Sequence, residues 1–121
     1  MDEREKKKRE WESVIEFYRK VDGKNRNKYE EKLARSFFTS IYSEKLYPFV
    51  SHRELCITPT SQYTEIRNFP MVGILHLGNG KFSVEFWEKR WKKKEMKRFE
   101  TEDSRLWDLL NTLLPKLISD S

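Results

Sequence analysis

Two residues, Asn79-Gly80, constrain the fold of this chain more than any others. Both accept the positive φ of a type I′ turn, whose twist matches that of paired strands. Placed between apolar-rich segments, they predict a tight antiparallel hairpin. A two-residue loop pairs Gly78 with Lys81, Leu77 with Phe82, Leu75 with Val84 and Gly73 with Phe86, and so gathers Leu75, Leu77, Phe82, Val84 and Phe86 on one face. Phe86 would then cover the bare backbone of Gly73. The opposite face has Val72 across from Trp87, Ile74 from Glu85 and His76 from Ser83, a mixed surface that is either partly covered or a binding face. His76 reads there as a satisfied, half-buried histidine.

Helices precede the hairpin. Trp11, Val14, Ile15, Tyr18 and Val21 recur at three- and four-residue spacing with Phe17 at the stripe's edge, and Gly23 follows as a C-terminal stop. Asn27 with Glu30 has the form of a reciprocal N-cap. After it Tyr29, Leu33, Phe37 and Ile41 recur beside Ala34, Phe38 and Tyr42, which predicts a second helix ending before Pro48. Leu55 to Ile57 and Tyr63 to Arg67 are strand candidates, and residues 94–100 are expected to return as a strand beside the hairpin. Thr101 to Ser104 opens a last helix with Leu106, Leu109, Leu110, Leu113, Leu114 and Leu117 on one side, and Pro115 should kink or shorten it. The expected fold is α+β: two N-terminal helices, an antiparallel meander of about four to five short strands, and a C-terminal helix packed on the sheet. A charged lead-in, 1–10, would precede a single domain over 11–121, because 121 residues suit one core.

The net charge of +5 is not spread evenly. Lys89, Arg90, Lys92, Lys93, Lys94, Lys97 and Arg98 stand against Glu95 alone, so residues 89–98 carry +6 and the other 111 residues −1. Lysines and arginines neutralise phosphates, and Trp87, Trp91 and Phe99 could offer ring faces to unpaired bases, the combination that suits RNA or single-stranded DNA. The plainer reading is that these charges solvate an edge strand and discourage sheet-to-sheet pairing, with Trp91 folded onto the core. Lys89-Arg90, Lys92 to Lys94 and Lys6 to Arg9 also have the form of short nuclear-import signals.

Other chemistry finds little support. Cys56 is the only cysteine, so no internal disulfide forms, and with two histidines it cannot complete a four-ligand zinc site. His52, Glu54 and Cys56 alternate as residues on one strand face would, yet no oxyanion element accompanies them. Glu30-Glu31 and Glu102-Asp103 lie at helix starts, where acids are favoured electrostatically. Two overlapping Leu-x-x-Leu-Leu strings in the last helix could enter a partner's groove, but a core face needs the same leucines. No phosphate loop, nucleotide fingerprint or serine elbow is present. There is no apolar leader segment and no apolar run of membrane-spanning length.

The expectation is therefore a small, non-enzymatic, regulatory kind of protein, intracellular in the cytoplasm or nucleus. It would bind RNA or single-stranded DNA through Lys89, Arg90, Lys92, Lys93, Lys94, Lys97 and Arg98, with Trp87 and Trp91 as stacking residues, and need no cofactor, metal or membrane. The alternative is an adaptor, subunit or homodimer that meets a protein partner through its sheet face or leucine-rich helix.

Overall fold

The computed structural model describes residues 2–22, 29–60, 70–88 and 96–118. It is an α+β fold. Helices α1 (Glu3–Asp22) and α2 (Tyr29–Phe38) lead through a 3-10 turn, Ile41–Glu44, into strands β1 (Tyr47–Ser51), β2 (Glu54–Thr58), β3 (Met71–Gly78), β4 (Lys81–Trp87) and β5 (Lys97–Glu102), and helix α3 (Asp103–Ile118) follows. The strands form one antiparallel sheet in the order β1-β2-β3-β4-β5. Gly23, Asn27, the Tyr63 to Arg67 strand candidate and residues 89–95 lie outside the described residues, as does the side chain of Val21.

The helices pack on one face of the sheet because their apolar stripes need cover. Trp11, Val14 and Tyr18 of α1, Leu33, Ala34 and Phe37 of α2, and Leu106, Leu110, Leu113, Leu114 and Leu117 of α3 are buried with Leu55, Ile57, Val72, Ile74, Phe82, Val84 and Phe86 from the sheet. Trp11 stacks on Phe37 at 5.2 Å between centroids, and Phe37 meets Trp107 at 4.8 Å, so one ring joins all three helices. The Trp11 indole N–H donates to the Leu46 carbonyl (3.1 Å), and the Tyr42 hydroxyl to Asn111 Oδ1 (2.8 Å). These bonds satisfy polar atoms that burial would otherwise leave costly. Residues 3–10 of the lead-in form the first part of α1, with Arg4 paired to Glu44 (2.7 Å) and the Lys7 ammonium 4.9 Å from the Tyr47 ring centroid.

The Asn79-Gly80 turn forms as its dihedrals require, with φ of 55° and 74°. The register of the hairpin does not follow from it. Gly78 pairs with Lys81, but His76 then pairs with Phe82, Ile74 with Val84, Val72 with Phe86 and Met71 with Trp87, because Leu77 is an extra residue in a bulge whose neighbour Gly78 takes φ 104°. A one-residue slip exchanges the two faces of a strand. Val72, Ile74 and His76 therefore face the helices, while Leu75 turns outward and Leu77 is exposed. Gly73 opposes Glu85 instead of Phe86, and the carboxyl of Glu54 lies over it, 2.8 Å from where a Cβ would stand.

Helix α2 ends at Phe38, well before Pro48. Thr39 and Ser40 interrupt it: their hydroxyls bond to carbonyls of the preceding turn, and the Ser40 oxygen accepts from the Tyr42 N–H to cap the 3-10 turn. Ile41, expected on the apolar stripe, is exposed. Pro48 instead sits in β1, the other edge of the sheet, where a missing N–H is tolerated. Pro115 lies inside α3, which continues to Ile118.

β1 and β2 join through His52-Arg53, both in the left-handed region at φ 50° and 70°. Side chains carry strain there that glycine and, to a lesser degree, asparagine avoid. The Tyr18 hydroxyl donates to the Arg53 carbonyl (2.9 Å) and pins the turn to α1. His52 is exposed at this turn, so His52→Asn should stabilise the fold by about 0.5–1 kcal/mol, read as a higher urea midpoint at constant slope.

Candidate functional site

The concentrated basic charge spans the connection between β4 and β5 and the start of β5. Trp87 closes β4 and Lys97 opens β5. Lys89, Arg90, Trp91, Lys92, Lys93 and Lys94 lie outside the described residues.

Three expected site residues are described, and strand geometry sends them different ways. Lys97 pairs with Phe86 and Arg98 with Glu85, so their side chains leave opposite faces of the sheet. Lys97 is exposed on the helix-bearing side. Arg98, on the outer side, places its guanidinium 2.6 Å from Glu85. This hydrogen bond, reinforced by the Glu85 charge, holds the Arg98 pKa above its ordinary value. Trp87 is half-buried, and its Nε1 is enclosed with no hydrogen-bond partner among the described residues. Only part of its ring is open to a ligand.

Lys116 was not legible as a site residue. Its ammonium stands 5.5 Å from the centroid of Phe86, the residue paired with Lys97, so the fold brings a further cation to the basic end of β5. Nothing in the local sequence of α3 signals this, because the contact depends on where the helix crosses the sheet.

A second polar cluster lies where α2 meets the β3–β4 hairpin. Glu30 is buried, with Oε2 3.3 Å from Arg53 and Oε1 3.8 Å from His76 Nδ1. His76 is stacked on Tyr29 at 4.4 Å and lies 5.0 Å from Phe82, with its side chain 1% exposed. A general base must reach the proton it removes, and so enclosed an imidazole meets no substrate from solution. The cluster ties α2 and the β1–β2 turn to the hairpin. Its sequence signal was Glu30's place on the stripe of Leu33, Ala34 and Phe37. The neighbouring groove, about 670 Å³, is lined by Tyr29, Glu31, Lys32, Arg35, Ser36 and Thr39, with Arg35 already bound to Glu31 (2.8 Å).

The His52, Glu54 and Cys56 trio does not assemble. His52 is in the turn, and Cys56 is buried with Sγ 3.6 Å from Glu54 Oε1. No group of three or more metal-ligating side chains occurs among the described residues, and no described helix is long and apolar enough to cross a membrane.

Comparison with protein families, with curated proteins and with solved structures finds no match to this chain.

Proposed function

We propose that this protein binds RNA or single-stranded DNA without catalysis, through the basic segment 89–98. The observation that carries the reading is the location of charge in the sequence: the whole positive excess lies between Lys89 and Arg98, in the segment that leads into β5. Lys97 and Arg98 are exposed there, and Lys116 adds a cation from α3. Phosphate contacts then supply the affinity. Stacking falls chiefly to Trp91, since Trp87 offers only part of its ring. The adaptor reading has less support. The leucines Leu106, Leu110, Leu113, Leu114 and Leu117 are buried inward, and Cys56, Thr58 and Met71 are buried on the sheet's other face.

Binding of a fluorescent single-stranded RNA, followed by polarisation across salt concentrations, tests this. With three phosphates contacted, affinity should fall about 20-fold between roughly 50 and 200 mM salt. Replacing Lys92, Lys93 and Lys94 together by Glu should abolish both the binding and its salt slope. A salt-independent affinity, or binding that survives the triple change, refutes the proposal.

A further inference from the structure

Strand β5 has β4 as its only strand neighbour among the described residues, and none of them pairs with its other backbone edge. Open edges are templates for pairing, and proteins usually blunt them with proline, a bulge or unordered charge. β5 has no proline, and its register with β4 is regular from Lys97 to Glu102.

Its charge, moreover, is ordered. Lys97 and Arg98 begin the strand, Glu100 and Glu102 end it, and all four are exposed. A strand that is basic in its first half and acidic in its second complements itself when reversed. The flank beside it repeats the order: Arg105 precedes Asp108 on α3, and a groove of about 560 Å³ is lined by Phe99, Thr101, Arg105, Asp108, Leu109 and Thr112 together with Glu100. Phe99 and Leu109 are only partly buried there.

We infer that this edge is a homodimer interface, in which β5 pairs antiparallel with β5 of a second copy and the two sheets become continuous. A two-fold axis through the sheet must keep each face with its like, so residues of equal parity stand opposite each other. Centring on Phe99 sets Arg98 opposite Glu100 of the second copy, twice by symmetry, and Lys97 opposite Thr101. It also brings the two Phe99 rings together on the helix-bearing face. Centring on Glu100 would instead oppose that carboxylate to itself, so the Phe99 register is favoured. A guanidinium has five N–H donors, enough for Arg98 to keep Glu85 while it meets Glu100 of the second copy. The α3 flanks then run antiparallel, with Arg105 of each toward Asp108 of the other.

Sedimentation of the full chain from low to high micromolar concentration reads this directly. The wild type should show the dimer mass. Glu100→Lys should raise the dimer dissociation constant at least about tenfold, because two attractive pairs become repulsive. Arg98→Glu should do the same, and an equimolar mixture of the two variants should recover a heterodimer in which each changed position meets its opposite charge. Arg98→Glu also sets an acid against Glu85, so circular dichroism must first show that it is folded. Should it unfold, Glu100→Lys decides alone, since the Glu100 side chain makes no hydrogen bond or ion pair with a described residue. A wild type that stays monomeric leaves the edge to some other occupant and overturns the inference. So does a Glu100→Lys variant that associates as the wild type does.

Discussion

Phe37→Ala is expected to lower the unfolding free energy by about 3–5 kcal/mol, a large part of the roughly 5–15 kcal/mol typical of a natural domain. Phe37 is fully buried, with its ring nearly parallel to Trp11 and tilted by 47° against Trp107. Truncation opens a void that these rings are poorly placed to fill. Trp11 is tethered by its N–H to Leu46, and Trp107 is fixed by the course of α3. The upper half of the range follows from that rigidity, since sites that cannot collapse keep their cavity. Urea unfolding followed by tryptophan emission should show a lower midpoint with an unchanged slope. A loss below about 1 kcal/mol would mean that the three helices do not meet at this ring.

The second large effect separates two adjacent acids. Glu30→Ala should cost about 2–3 kcal/mol, and Glu31→Ala less than about 0.5 kcal/mol. Both lie in the first turn of α2 and both ion-pair with arginine. Only Glu30 is buried, between Arg53 and His76, and its loss leaves a buried imidazole beside an empty site. Arg53 is half-exposed and can rehydrate, which keeps the cost below that of breaking a fully enclosed pair. Equal losses for the two variants would show that burial of Glu30 contributes nothing.

Periodicity was enough to read α1, the core of α2, the leucine face of α3 and the antiparallel meander, because apolar spacing reports directly on which face is buried. It failed where a backbone conformation lacks a residue signature. The His52-Arg53 turn has the left-handed dihedrals of a tight hairpin without the glycine or asparagine that announces one, so nothing in the sequence marks the strand before it. The bulge at Leu77 has no signature of its own, because Gly78 suits an ordinary hairpin equally well, and the one-residue slip exchanges the faces of β3. The basic stretch was legible as composition. What composition could not supply was the alternation that sends Lys97 and Arg98 to opposite sides, the hold of Glu85 on Arg98, or the approach of Lys116.

The bulge also bears on how the gene can change. Because β3 carries one residue more than β4 requires, an in-frame deletion of codon 75, 76 or 77 leaves a bulge-free hairpin in which Met71 to Ile74 keep their partners. The three lesions differ in which residue ends up inside beside Phe82, His76 or Leu77, and in which stands outside opposite Ser83, Leu75 or His76. Loss of codon 77 keeps the histidine and its contact with Glu30, and loss of codon 75 or 76 substitutes a leucine there. Loss of codon 74 uses the same slack, with Leu75 taking the place opposite Val84, whereas loss of codon 73 moves Ile74 opposite Glu85, where the Glu54 carboxyl lies over Gly73, so tolerance of small deletions along this strand should rise toward the turn.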